Sequence, residues 1–276
     1  SRPGAVIART AAIGGLAAGA AHGAFRFLTS AVTSRRWART NHAGHDVTLL
    51  EGPAYVVGAT VGAAAGALTA GPAGVVAAIG SGAFGALDDL GGDGSSKGLK
   101  GHLGAAARGQ ITTGFIKIVG IGATGVAAAI LADRSRHDVD AVDALVGGAV
   151  IAGSANLANL LDLRPGRALK VTLLAALPLM VRRGPGASAA TAAAGAALGV
   201  IGPDLAGTAM LGDTGANAAG ALVGTALVEA TGRRGRVAAL VVLAGLTLAS
   251  ERVSFTKVIE STPGLREFDA WGRPAR

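Results

Sequence analysis

Long runs of Gly, Ala, Val and Leu alternate along this chain with short stretches in which Arg, Lys and Asp collect. A bilayer crossing needs about 20 mainly apolar residues, and positions 55–87 carry no charge over a length approaching two crossings. Cutting the runs at charges and at Gly-Pro steps predicts nine spans, at 5–28, 53–68, 73–87, 112–132, 140–161, 168–181, 187–201, 206–230 and 237–249. The expected fold class is therefore all-α, a polytopic transmembrane bundle of about nine to ten helices forming one integral membrane domain over 1–276. Residues 5–28 lack a small-residue cleavage site after the apolar stretch, so they are read as a retained helix rather than a signal peptide.

Composition sharpens this pattern. Charged residues make up 15% of the chain and mean hydropathy is +0.50, against about 25% charged in soluble domains, which disfavours a soluble Gly/Ala bundle. The 45 glycines admit two readings: small residues that let membrane helices approach closely, or the bias of a GC-rich genome. Cysteine is absent, which excludes disulfides, thiol nucleophiles and Cys-ligated metals. The net charge of +8 fits basic cytoplasmic loops. Nucleic-acid binding is not expected, because the basic residues are scattered and not interleaved with aromatics.

Nine spans alternate the loops between two faces. One face receives loops at about 29–52, 88–110, 162–167 and 202–206 and the tail 250–276, with Arg35, Arg36, Arg39, Lys97, Lys100, Arg108, Arg164 and Arg167. The positive-inside rule makes it cytoplasmic, against the opposing Arg pairs at 182–183 and 233–234. The expected location is the plasma membrane, with the working site on its cytoplasmic side.

Acids at a membrane edge are costly, so they mark candidate sites. Three stations occur: Asp88 and Asp89 after one apolar run, Asn156, Asn159 and Asp162 after another, and Asp213 at the start of a third. All three fall on the expected cytoplasmic face. Carboxylates and carboxamides gathered at the mouth of a bundle suit Mg2+, which takes oxygen ligands and keeps waters or substrate phosphates. Nearby Lys and Arg complement phosphate oxygens. The plain alternatives are helix capping for Asp88, Asp89 and Asp213, interhelical hydrogen bonding for Asn156 and Asn159, and solvation for Lys97 and Lys100. Lys117 is expected to snorkel to the interface. The acids at 138, 140 and 143 are expected to be solvated on the far face, and His42, His45 and His102 are given no role.

The segments Gly85-Ala-Leu-Asp88-Asp89-Leu, Asn156-Leu-Ala-Asn159-Leu-Leu-Asp162 and Met210-Leu-Gly-Asp213-Thr-Gly215 resemble, in order and side, the cytoplasmic signatures of the polyprenyl-phosphate N-acetylhexosamine-1-phosphate transferases (glycosyltransferase family 4). That superfamily includes the lipid I enzymes of peptidoglycan synthesis and the undecaprenyl-phosphate GlcNAc-1-phosphate transferases. The resemblance spans about 39–220, with a weaker match at Arg39, Asn41 and Gly44. It implies Mg2+-dependent transfer of a sugar-1-phosphate from a UDP-sugar to a polyprenyl (undecaprenyl) phosphate, releasing UMP, in cell-wall biogenesis. It also implies catalytic roles for Asp88, Asp89 and Asp213, metal binding by Asp213 and Asp89, and substrate contacts by Asn156, Asn159, Asp162, Lys97 and Lys100. The Gly-rich helix faces permit the homodimer that the resemblance suggests.

Two departures qualify that expectation. The family's Asp-Gly-x-Asp-Gly continuation is here Asp162-Leu-Arg164-Pro165-Gly166-Arg167, with proline in place of the second acid. The His-rich motif of the lipid I enzymes has no counterpart in 250–276, so a muramyl-pentapeptide substrate is not expected. Arg164 and Arg167 are the substitute candidates for phosphate contact. The rival reading is a catalytically altered relative that binds lipid phosphate or envelope partners without turnover. A transporter would show an internal repeat, and none is evident.

Overall fold

The computed structural model describes residues 3–91, 101, 104 and 107–274. Nine long helices form the body: α1 (Pro3–Ala31), α2 (Glu51–Ala70), α3 (Ala73–Gly91), α4 (Thr113–Ala132), α5 (Ala141–Leu161), α6 (Arg167–Val181), α7 (Ala187–Leu205), α8 (Gly212–Ala230) and α9 (Arg233–Ser250). Each corresponds to one apolar run, because the breaks fall at Gly or Pro, as at Gly71-Pro72, or at charge, as at 133–140. Two short helices, α10 (Phe255–Ser261) and α11 (Leu265–Ala270), follow where only a polar tail was expected.

Helix α8 is the central post. It packs against α2, α3, α4, α5, α6 and α7 and is buried along most of its length. Its neighbours reach it because their contact faces lack bulk. A Cβ on Gly85 of α3 would stand 2.2 Å from the Asp213 carbonyl oxygen, one on Gly52 of α2 2.3 Å from that of Leu211, and one on Gly220 2.2 Å from that of Ser154 in α5. Of the two readings of the glycine content, close helix approach is the one with structural consequence.

Among the described residues five helices, α1 to α5, are long and apolar enough to cross a membrane, and a sixth span results if α9 and α10, bent by 92°, count as one. The nine expected crossings thus reduce to five or six on composition alone. The difference has several sources: α6 has only 15 residues, α9 opens with Arg233, Arg234 and Arg236, and α8, wrapped by other helices, tolerates Asp213, Thr214, Asn217 and Thr225. Large apolar side chains instead point outward, among them Phe27, Leu68, Val241 and Leu248.

The loops depart from expectation at both ends. Within 29–52 the chain forms a short 3-10 turn and an antiparallel hairpin, β1 (Ala38–Thr40) with β2 (Asp46–Thr48), pairing Arg39 with Val47. The hairpin docks onto the α7–α8 connection through Thr48 N–H to Thr208 O (3.2 Å) and Met210 N–H to Thr48 O (3.0 Å). Helix α3 runs on through Asp88 and Asp89, and α7 continues to Leu205, shortening the expected loops. At the opposite end Asp143, expected to be solvated, is buried. Arg233 grips it with two hydrogen bonds of 2.7 and 2.6 Å. Arg236 grips Asp133 with two of 2.6 Å.

Candidate functional site

Consecutive residues on a helix point about 100° apart, so Asp88 and Asp89 at the end of α3 serve different neighbours. Asp88 faces α4, where it accepts hydrogen bonds from Thr113 Oγ1 (2.9 Å) and Lys117 Nζ (2.6 Å). The same Nζ donates to Asp213 Oδ2 at 2.5 Å. Lys117, a turn into α4, therefore bridges two carboxylates from α3 and α8. All three side chains retain partial exposure, at 15 to 22%.

Asp89 faces α8. Its Oδ1 accepts from the Asp213 amide (3.1 Å), and its Oδ2 accepts from the Thr214 amide (2.8 Å) and hydroxyl (2.6 Å). Asp162, just past α5, accepts from the Gly212 amide at 2.9 Å. The first amides of a helix lack internal partners and its N-terminus carries partial positive charge. Here two carboxylates from other helices supply what the sequence preceding α8 does not, since Leu211 makes no side-chain cap. Gly212 enters the helix at φ 61°, a left-handed conformation suited to glycine. A Cβ there would also lie 3.0 Å from Asp89 Oδ2. The Arg39 guanidinium donates to the Asp89 carbonyl and so ties the hairpin to the end of α3.

A second group of acids lies behind this one. Glu51 is fully buried with neither oxygen hydrogen-bonded, and Asp204 is buried with only Oδ1 engaged, by the Gly166 amide at 3.0 Å. Burial, then the nearby Asp204 charge, pushes the Asp162 carboxyl well above the usual carboxylate range. Asp162 and Asp204 line a cavity of about 210 Å3 with Asn41, His42, Arg164 and Met210. A separate apolar groove of about 400 Å3 runs between α5, α6, α8 and α9, walled by Leu157, Leu161, Val171, Val223, Val242 and Leu243.

The remaining sequence candidates divide. Asn156 donates to Thr247 Oγ1 of α9 at 3.2 Å, an interhelical hydrogen bond. Asn159 sits one turn before Asp162, part-buried. Arg164 is held by Glu260 of α10 at 3.2 Å and lines the cavity. Arg167 is buried and forked onto Asp269 of α11 at 2.7 and 2.9 Å, with a third bond to Thr256. Its donors are thus committed inside the protein. Burial opposes ionisation of Asp269, but the Arg167 guanidinium holds its carboxyl below the usual range. Lys97 and Lys100 lie outside the described residues.

Among the described residues, no group of three or more His, Asp or Glu side chains is arranged to hold a metal. The donor set still suits Mg2+, which is often bound through one or two carboxylates with waters and substrate phosphates completing the shell. Asp88 and Asp213 already share one cation, the Lys117 ammonium. Lys117, Glu51 and Asp204 were missed as site residues. Only Lys117 carried a signal, as a lone charge early in an apolar run.

The chain matches no known family profile and no curated protein.

Proposed function

We propose that this protein is a membrane-embedded phosphoglycosyltransferase, moving a sugar-1-phosphate, a phospho-N-acetylhexosamine, from a UDP-sugar to a polyprenyl phosphate at the cytoplasmic face. The observation that carries this reading is the convergence of three sequence-distant acid stations at one end of the bundle, linked by Lys117 bridging Asp88 to Asp213 and by Asp89 and Asp162 on the start of α8. Stations on opposite ends would have ended it.

In this proposal an oxygen of the lipid phosphate attacks the sugar-bearing phosphorus of the UDP-sugar, the bond to UMP breaks, and the polyprenyl-diphosphate-sugar remains. Both reactants are anionic, so the site must screen their repulsion. Asp213, with Asp88 in place of the expected Asp89, whose two oxygens are taken up by the start of α8, would hold Mg2+, which would supply Lewis-acid screening. Lys117 orients those two carboxylates and adds a positive charge between them. Asp89 and Asp162 fix α8 so that Asp213 is presented from a rigid helix end. The cavity beside Asp162 and Arg164, at about 210 Å3, has room for part of the nucleotide, and the apolar groove suits an isoprenoid chain. Arg233 and Arg236, which weaken the charge bias for a cytoplasmic acid end, are engaged by Asp143 and Asp133 as packing residues.

The second reading, a relative that binds lipid phosphate without turnover, is favoured by the closure of Asp88 and Asp213 on Lys117 and by the commitment of Arg167 to Asp269. UMP release by purified protein given undecaprenyl phosphate, Mg2+ and a panel of UDP-sugars decides between them. Turnover abolished in Asp213→Asn supports the transferase. Absence of turnover with every sugar, alongside intact lipid-phosphate binding, supports the second reading.

A further inference from the structure

The end of the bundle remote from the acids contains a cavity of about 630 Å3, within the usual range for ligand pockets. Its wall is assembled from five separate segments: Arg9 of α1, Thr69 at the end of α2, Arg136 after α4, Arg183 and Ser188 around the start of α7, and Glu229 of α8. The arginines at this end fall into two classes. Arg233 and Arg236 are matched to carboxylates. Arg9 and Arg183 make no ion pair or side-chain hydrogen bond among the described residues, and both line the cavity. Arg136 donates to the Thr231 carbonyl at 3.1 Å and forms looser ion pairs with Asp138 at 3.6 Å and Asp133 at 3.9 Å, leaving part of its guanidinium to the cavity.

Two further features sit on the same wall. Helix α7 begins at Gly186 with no side-chain cap; Ala187 N–H donates to the Gly184 carbonyl at 3.1 Å, which leaves the Ser188 and Ala189 amides and the Ser188 hydroxyl available to an anion. The turn that aims them is fixed: Arg183 adopts φ 52°, and a Cβ on Gly186 would lie 2.1 Å from the Ala226 carbonyl oxygen. Glu229 contributes the opposite character, since its Oε2 is buried without a hydrogen-bond partner and wants a donor. Three cations and an open helix start, with one unsatisfied acceptor, describe a ligand that joins a phosphate to a hydroxyl or ammonium. Arg9, Thr69 and Ala132 place α1, α2 and α4 on the cavity wall, and all three helices are apolar enough to cross a bilayer.

We propose that this cavity binds the phosphodiester headgroup of a membrane phospholipid, Arg9, Arg136 and Arg183 holding the phosphate and Glu229 accepting from the headgroup's hydroxyl or ammonium. The site is independent of the transferase reading. Native mass spectrometry of the full chain in detergent, titrated with phosphatidylethanolamine, phosphatidylglycerol, phosphatidylcholine or diacylglycerol, tests it. Each of Arg9→Ala and Arg183→Gly, the latter suited to the left-handed backbone, should weaken phosphatidylethanolamine and phosphatidylglycerol binding roughly five-fold, about 1 kcal/mol per basic residue at a lipid surface. Arg182→Ala, an exposed neighbour outside the cavity wall, should leave it unchanged. Phosphatidylcholine, whose quaternary ammonium has no N–H, should bind more weakly, and Glu229→Gln should narrow that gap. The proposal is overturned if the Arg9→Ala, Arg183→Gly double variant binds like wild type, if Arg182→Ala costs as much, or if diacylglycerol binds equally. Inorganic phosphate that displaces lipid completely would overturn the membrane source and leave a soluble phosphate ester as occupant.

Discussion

Asp88 and Asp89 are adjacent in sequence, yet the structure assigns them different work, and Asp89→Ala separates the two. Asp89 accepts three hydrogen bonds from the start of α8, two from amides and one from the Thr214 hydroxyl. Loss of a helix cap alone costs about 1 kcal/mol, up to roughly 2. A buried donor left without a partner adds about 1 to 3 kcal/mol. The hydroxyl can rotate to another acceptor, and removing a buried carboxylate relieves some desolvation, so the net loss should be about 3 kcal/mol. At roughly 2 to 4 °C per kcal/mol for a chain near this size, the melting temperature in detergent should fall by roughly 6 to 12 °C. Asp89→Asn keeps one acceptor oxygen and should lose about half as much. Asp88→Ala leaves Lys117 paired with Asp213 and should shift melting by only a few degrees. Thermal unfolding followed by intrinsic fluorescence or light scattering measures all three. Asp89→Ala melting within about a degree of wild type, with Asp88→Ala the more damaging change, would falsify the capping role.

The far-end ion pairs offer a second test. Arg236→Ala leaves the buried Asp133 with only the longer 3.9 Å pair to Arg136 and should cost about 3 kcal/mol, whereas replacing both Arg236 and Asp133 by apolar residues should restore most of the loss; a double variant no better than the single one contradicts this. Gly85→Ala drives a methyl into the Asp213 carbonyl and should lower both melting temperature and UMP release, while Gly122→Ala, with nothing within 4 Å, should do neither. Because Asp269 titrates below its unfolded value, its pairing with Arg167 contributes stability above the unfolded carboxylate pKa, near about 3.9, that is lost as pH falls through the lower folded value. Hydrogen exchange of 255–270 should therefore quicken in that acid window, and Asp269→Asn should remove the step. Asp162, whose carboxyl burial pushes well above the usual carboxylate range, should tolerate Asn with about 1 kcal/mol lost or less, since the carboxamide still accepts from Gly212.

The helices and the gathering of the acids were legible in the sequence, because charge-free runs measure length directly and acids at their ends are rare enough to stand out. Partner choice was not. Lys117 reads as a snorkelling lysine, and only the three-dimensional approach of α3, α4 and α8 sets it between residues 29 positions before and 96 after it. Arg167 reads as a phosphate ligand for the same reason: its carboxylate, Asp269, is 102 residues away. The hairpin at 38–48 escaped because its strands have three residues each, too short for alternation to register. Glu51 escaped because a single acid at the start of an apolar run looks like an ordinary first-turn acid, and nothing local reveals that α7 and α5 close over it.

The capping of α8 from elsewhere also bears on how the protein is made. Synthesis delivers Asp89 and Asp162 before residue 212, so Asp89 waits without its amide donors while α4 to α7 are laid down, and Asp162 while α6 and α7 are. Helix α8 in turn arrives with no cap of its own and gains one only on reaching its neighbours. The candidate site thus cannot close before α8 is made. A chain halted after α7 would hold every acid of the first two stations and none of the amides that organise them, which makes that intermediate the natural point for quality control to act.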